Sequence, residues 1–386
     1  MRLALVIFCM LVVVTTHAQD RPSAPTGGGV FRSAEAESLG YDAFRRLPAD
    51  DQLARREDAR RWLRRARDRA HASAAAPEPA TRQALLREAI DACATAAGLV
   101  PYLPDAWVEY ARHLNAAGDY DDADASLDQA TITLRYERRE GARGDLRHDL
   151  HAIRARVAYN LGDAARSRQE AEAALELEPG DDETRLLLVR ALVMLERFDE
   201  ARGKVEEFED SGPLYPRALA VLGVLEMRDG NLDRADAAFD RAYEYGMRGA
   251  VFDNDRGRLY LEMGRYDDAV DAFENALESV PSFHEARNNL AVAHRRAGRL
   301  ETADAILQEM LEDLPAYGPA HFNRAEVLRA QLDAADDPDR ARTLGAEAFL
   351  HYTAALDAGY DPDTVIARRA LLPADAEDLE RAEADL

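Results

Sequence analysis

Residues 257–281 read GRLYLEMGRYDDAVDAFENALESVP, and their spacing decides the fold. Gly264 is followed by polar Arg265, apolar Tyr266 and then Ala269. Ala269, Phe273 and Ala276 recur at steps of four and three, which places them on one helix face. Ahead of the glycine stand Gly257 and Tyr260. Small residues let two helices approach closely, and Phe273 fills the gap between them. The glycine relieves a tight turn between antiparallel helices, and Pro281 stops the second one.

The pattern repeats along the chain. Gly230-Asn231-Leu232 precedes Ala235 and Gly298-Arg299-Leu300 precedes Ala303, each glycine 34 residues from Gly264. One period before Gly230 stands Glu196, ahead of Arg197-Phe198 and Ala201, and one period before that stands Gly162. Gly118-Asp119-Tyr120, with Ala123, lies 44 residues earlier, one period plus ten. A fixed period of this length marks stacked units that bury one another's faces.

These units resemble the tetratricopeptide repeat, whose pattern is a tryptophan, a Leu-Gly pair, a tyrosine, then Ala, Phe, Ala and Pro. Leu222-Gly223 is followed by Ala235, Phe239 and Ala242. Trp107, Ala111, Leu114, Gly118, Tyr120, Ala123, Leu127 and Ala130 fill a second unit. Leu290-Ala291, Gly298, Ala303, Leu307 and Pro315 fill a third. Ala155, Gly162, Ala171, Ala174 and Pro179 make a weaker one, and Ala201, Val205, Phe208 and Pro213 another. The resemblance spans residues 52–360. It implies an all-α fold, a right-handed α-α superhelix (solenoid) of about eight helical hairpins. The solenoid is expected over 50–362, after a flexible linker and N-terminal segment at 19–49 and before capping helices at 363–386.

Departures from the pattern carry expectations of their own. Only Trp107 holds the tryptophan slot; His151, Arg185, Leu219, Asp253, Arg287 and His321 stand there in other units, which predicts a half-exposed position. About ten extra residues follow Arg135 and include Glu140 to Asp145. A second insertion, Leu332 to Arg342, splits the last full unit, whose second helix resumes at Ala348, Tyr352 and Ala355. The first unit is irregular: Ala89, Cys93, Ala96 and Pro101 mark its second helix, and Pro77-Glu78-Pro79 separates that from a charged helix with Trp62 and Leu63.

Composition limits the function classes. The net charge of −24 argues against an extended nucleic-acid surface, because phosphates would be repelled. Lys204 is the single lysine, a skew that a GC-rich genome or adaptation to salt would each produce. Arg2, the apolar run Leu3 to Val14 and the small residues around Ala18 resemble a secretion signal over residues 1–18, cleaved before Gln19. The apolar run falls short of the roughly 20 residues a membrane-spanning helix needs. That reading predicts a periplasmic or secreted chain with no transmembrane span once the signal is removed; an uncleaved anchor is the alternative. Removal of the signal takes Cys9 and leaves Cys93, which reads as a small buried apolar residue.

No catalytic signature has a usable context, so neither an enzyme nor a cofactor is expected. His148 and His151 share a helix face but lack a third ligand, and His284-Glu285 lacks the second histidine of a zinc-protease motif, so no metal is expected either. Asp121-Asp122 and Asp181-Asp182 sit ahead of helices, where acids offset the helix dipole.

In proteins of this resemblance the first helix of each pair lines a concave groove, and some members grip extended peptides with asparagines. Six residues before each glycine slot stand Arg112, Arg156, Arg190, Val224, Arg258 and Val292. Nine or ten before it lie Asn254, Asn288, Asn289 and Asn323. Arginine binds carboxylates bidentately, and an asparagine carboxamide can pair with both the N–H and the C=O of a peptide. Tyr159, Val193, Met227 and Leu261, three before their slots, either line the groove or pack between helices. These rows point to a peptide or protein partner; the alternatives are a solvated or internally paired face, and a structural subunit of an envelope assembly acting through convex faces and the insertions. The oligomeric state is open.

Overall fold

The computed structural model describes residues 43–134, 143–208 and 212–372. The signal, the linker, most of the first insertion and residues 373–386 lie outside the described residues. Among the described residues there is no strand. The helices divide into two compact units at Leu214 and Tyr215.

The first unit holds four helical hairpins. They are α1 (Ala49–Ala75) with α2 (Pro79–Leu99), α3 (Pro104–Ala117) with α4 (Tyr120–Leu134), α5 (Arg143–Asn160) with α6 (Ala164–Leu177), and α7 (Asp182–Met194) with α8 (Phe198–Val205). The second unit holds four more: α9 (Tyr215–Arg228) with α10 (Leu232–Glu244), α11 (Ala250–Glu262) with α12 (Tyr266–Ser279), α13 (His284–Arg296) with α14 (Leu300–Asp313), and α15 (Gly318–Asp333) with α16 (Pro338–Asp357). A short helix, α17 (Pro362–Arg369), follows. Eight hairpins thus stand where about eight were expected.

The glycine slot is a helix C-terminal cap. Gly264 takes φ +75, its N–H donates to the Leu261 carbonyl at 3.2 Å, and Arg265 N–H donates to the Tyr260 carbonyl at 2.8 Å. These two bonds satisfy carbonyls that the end of α11 would otherwise leave open. The same pair of bonds closes α7, but there Glu196 occupies the slot at φ 58, a left-handed backbone that an L side chain adopts at a cost. The following helices start on acids. Asp163 and Asp181 accept from the backbone N–H three residues on, and Asp121, Asp122, Asp267 and Asp268 sit in first turns.

The small-large-small rows of the second helices form the core. Ala123, Leu127 and Ala130, Ala269, Phe273 and Ala276, and Ala348, Tyr352 and Ala355 are all fully buried. Burying one large apolar side chain contributes about 1.5–3 kcal/mol. In four hairpins the partner of the large residue stands sixteen positions earlier, on the first helix. A Cβ on Gly223 would meet the Phe239 ring at 2.9 Å, and one on Gly257 would meet the Phe273 ring at 2.6 Å. Where the large residue is leucine, the partner is alanine: Ala111 with Leu127, and Ala291 with Leu307. Summed volume is thereby held nearly constant across these four hairpins.

The tryptophan slot meets the half-exposed expectation in four of the six other units and departs from it in two. Leu219 and Asp253 are buried there, while His151, Arg185, Arg287 and His321 are half-buried. The slot is also less varied than its residue names. Trp107 Nε1 donates to the Pro101 carbonyl at 2.8 Å, Arg287 Nη2 to that of Pro281 at 3.1 Å, and His321 Nε2 to that of Pro315 at 2.9 Å. Arg185 Nη2 donates to the Pro179 carbonyl. Tryptophan, arginine and histidine each carry an N–H to the carbonyl six residues back, at the end of the preceding second helix.

The irregular parts are helical too. Trp62 and Leu63 lie on the long α1, and Leu63 faces the core. The second insertion lengthens α15 and α16 and leaves only residues 334–337 between them, with Asp337 capping α16. Cys93 is fully buried, and burial pushes its thiol up to about 12, where it behaves as an apolar filler. No described helix is long and apolar enough to cross a membrane.

Candidate functional site

The first helices carry the arginine and asparagine rows. In the first unit, Arg112 on α3 reaches Asp149 on α5 at 3.2 Å, and Arg156 on α5 reaches Glu183 on α7 at 2.8 Å. Asp149 and Glu183 each stand thirteen residues before a glycine slot, so the row links one repeat to the next. Arg112 also lies 3.5 Å from Glu109. All these arginines are exposed, and such pairs contribute about 0–1 kcal/mol each.

Arg190, on α7, differs. Among the described residues it has no hydrogen bond and no ion pair, and the residue thirteen before the next slot is Arg217, which offers no carboxylate. Its charge acts on the half-buried Tyr159, whose hydroxyl burial pushes up and Arg190 pulls back down. In the second unit Arg258 is tied within its own helix, 3.4 Å from Asp255. Asp255 is pushed up to about 6, chiefly by burial, with Arg258 opposing and Glu285 adding to the rise.

The asparagines come together in pairs. Asn289 Nδ2 donates to Asn254 Oδ1 at 3.0 Å, and Asn323 Nδ2 donates to Asn288 Oδ1 at 2.9 Å. Asn254, Asn288 and Asn323 are buried and Asn289 is half-buried. Each pair joins residues 35 apart, one more than the period, because the donor sits nine before its slot and the acceptor ten before the previous one. Asn160 donates to Asn115 in the same way at 2.8 Å, 45 apart, which is the same step plus the ten inserted residues. Asn254, Asn288, Asn289 and Asn323 thus join neighbouring repeats to one another.

Val193 and Met227 are buried, whereas Tyr159 and Leu261 stay half-buried. The sequence reading ended that row at Leu261. It continues, at the same 34-residue step, to Arg295 and Arg329, and the neighbouring row continues to Glu326. Extending the register by two repeats would have found all three.

The paired histidines are bound to acids. His148 Nε2 lies 3.1 Å from Asp181, and His151 Nδ1 lies 2.7 Å from Glu170. Among the described residues no group of three His, Cys, Asp or Glu side chains is placed to hold a metal.

Comparison with known proteins gives this geometry a name. The tetratricopeptide repeat family model matches residues 154–214, 186–248 and 254–320. Over 274 residues, 67% of the chain, the sequence is 27% identical to cellulose synthase operon protein C of Xanthomonas axonopodis pv. citri (strain 306), of which the match covers 18%. The chain therefore spans less than a fifth of that relative's length. Among solved structures, the APC/C hetero-tetramer Cut9-Hcn1 superposes with a TM-score of 0.53 at 14% identity, covering 91% of this chain and 63% of that one. A tetratricopeptide repeat protein from Parabacteroides merdae ATCC 43184 gives 0.49 at 16% identity, covering 72% and 98%. Residues 154–248 and 254–320 are tetratricopeptide repeats, set in an all-α fold of the solenoid type.

Proposed function

We propose that this chain is a non-catalytic, exported scaffold that holds an extended peptide or protein partner along the face of its first helices. The observation that carries the reading is Arg190. It is a cation without a carboxylate partner, beside a half-buried tyrosine, in a row whose preceding members Arg112 and Arg156 are each paired. A guanidinium without a carboxylate partner suits a peptide carboxylate or carbonyl. Export rests on residues 1–18, and protein recovered from the native envelope should begin at Gln19.

The test is affinity purification from the native envelope with wild type and Arg190→Ala. The partner should be lost from the variant while its melting temperature is unchanged, since no hydrogen bond or ion pair of Arg190 is removed. Equal recovery of the same partner from both proteins refutes the groove.

A second reading makes the chain a structural subunit of a cell-envelope assembly, using convex faces and the lengthened α15 and α16. Its support is the relative named for a cellulose synthase operon. Deleting residues 332–337 would then abolish partner recovery while Arg190→Ala would not.

A further inference from the structure

Helices α13, α15 and α17 of the second unit bring three guanidinium groups around one carboxylate. Glu326, on α15, is 4% exposed and accepts from the Tyr352 hydroxyl at 2.5 Å and from Arg329 Nη2 at 3.3 Å. Arg368 Nε stands 3.7 Å from it and Arg295 Nη1 4.0 Å. Burial alone would push this carboxyl up; the Tyr352 and Arg329 hydrogen bonds outweigh it and hold Glu326 below the usual range. Arg329 also pairs with the exposed Asp333 at 3.2 Å. Among the described residues, Glu326 and Asp333 are the two carboxylates paired with these three cations.

Hydrogen bonding is less complete than charge pairing. Arg295 has a side chain only 17% exposed, yet among the described residues its guanidinium makes no hydrogen bond, and its Nε is buried without an acceptor. Arg329 Nε is buried without an acceptor as well. Among the described residues Arg368 makes no hydrogen bond, and its 3.7 Å approach to Glu326 is too long for one. A guanidinium carries five N–H donors and keeps its charge, so burying it without acceptors is costly. Arg295 lies in the last turn of α13, where the helix dipole offsets only part of that cost. Arg295 and Arg329 are one 34-residue period apart and occupy the same place in successive repeats.

We propose that Arg295, Arg329 and Arg368 form a binding site for an oxyanion, a carboxylate or a phosphate group, whose oxygens take up the donors that Glu326 leaves open. Glu326, fixed by Tyr352, holds the arginines in place and moderates their mutual repulsion. Both anion types offer paired oxygens to a guanidinium fork. The site stands independently of the Arg190 groove in the first unit.

The experiment is calorimetric titration of the full chain with inorganic phosphate and with succinate, at constant ionic strength set by sodium chloride. At least one anion should bind saturably, and the tighter of the two identifies the source. Arg295→Gln should weaken that binding by at least about tenfold, the loss expected for a charge-assisted hydrogen bond. Arg342→Gln, at an exposed arginine of the same unit, should leave it unchanged. Should Arg295→Gln lose its helical circular dichroism, Arg368→Gln serves instead, because that side chain is 45% exposed. Absence of saturable binding, or binding by the folded Arg295→Gln or Arg368→Gln variant equal to wild type, overturns the site.

Discussion

Gly257→Ala sets two opposing terms against each other. The change replaces a glycine inside α11, and in an open helix alanine is favoured there by about 0.8–1.0 kcal/mol. The new Cβ, however, would lie 2.6–2.8 Å from Cε1, Cδ1 and Cζ of Phe273. Carbon atoms rest at about 3.5–4.0 Å, so the ring would have to retreat by about 1 Å. Phe273 is fully buried, so its retreat would have to displace neighbouring core side chains. Overpacking of this kind costs about 1–3 kcal/mol, so the single variant should be destabilised by up to about 2 kcal/mol. Phe273→Leu removes the obstruction and recreates the Ala–Leu pairing of Ala291 with Leu307. In that background Gly257→Ala should stabilise by up to about 1 kcal/mol. The coupling between the two changes is then the overpacking term itself, about 1–3 kcal/mol. Each hairpin contacts mainly its neighbours, so hydrogen exchange of the α11 and α12 amides reads the effect more directly than a whole-chain midpoint. Gly257→Ala stabilising equally in both backgrounds would show that the glycine is not there to admit the ring, and would refute the reasoning.

Three further outcomes are expected. Glu196→Gly should stabilise the α7–α8 hairpin by about 1 kcal/mol, because it removes a side chain from a left-handed backbone; no rise in that hairpin's exchange protection would contradict this. Asn289→Ala should cost about 1–3 kcal/mol, since Asn254 Oδ1 is left buried without its donor, and Asn323→Ala should do the same to Asn288; unchanged denaturation midpoints would argue against the pairs. The third concerns pH. His321 Nε2 must carry its proton toward the Pro315 carbonyl, so its Nδ1 accepts from His351, which burial, Arg324 and His321 together hold neutral down to about 3. The unfolded chain protonates His351 below about pH 6.5 and the folded chain does not, so stability falls as pH drops below 6.5, by at most about 1.4 kcal/mol per unit. Asp255, pushed up to about 6, works in the opposite direction between pH 6 and 4, because the folded state then holds the extra proton. The difference in urea midpoint between wild type and His351→Gln over pH 6.5–5 should isolate the histidine, and a pH-independent difference would refute its role.

The core was legible because one geometry is repeated: in four hairpins the residue sixteen positions before the large one had to be small, and both halves lie within a single period. What the tryptophan slot shares was missed because residue names were compared where the common property is an N–H within reach of a carbonyl. The asparagine row was visible as a row, but its use was not. A donor in one repeat and an acceptor in the previous one are related only after stacking, although a 35-residue interval in a 34-residue register hinted at it. The arginine row was visible with an internally paired face left open, but its partners Asp149 and Glu183 lie in the next repeat and are identified only after stacking. The second insertion was located in the sequence but its form was not: only residues 334–337 are a turn, and the remainder continues the two helices.

The asparagine pairs also bear on how such a chain can lengthen. Asn254 only receives and Asn323 only donates, whereas the adjacent Asn288 and Asn289 do both, one toward each neighbour. The repeat ending at Gly298 is therefore a connector with two compatible ends. A tandem duplication of residues 265–298 would place a second asparagine pair 34 residues further on, and the 35-residue interval would recur at every new junction. Gene duplication or deliberate insertion at this repeat would extend the array with its inter-repeat hydrogen bonds intact, while the same event at the Gly264 repeat would leave a copy of Asn254 without a donor.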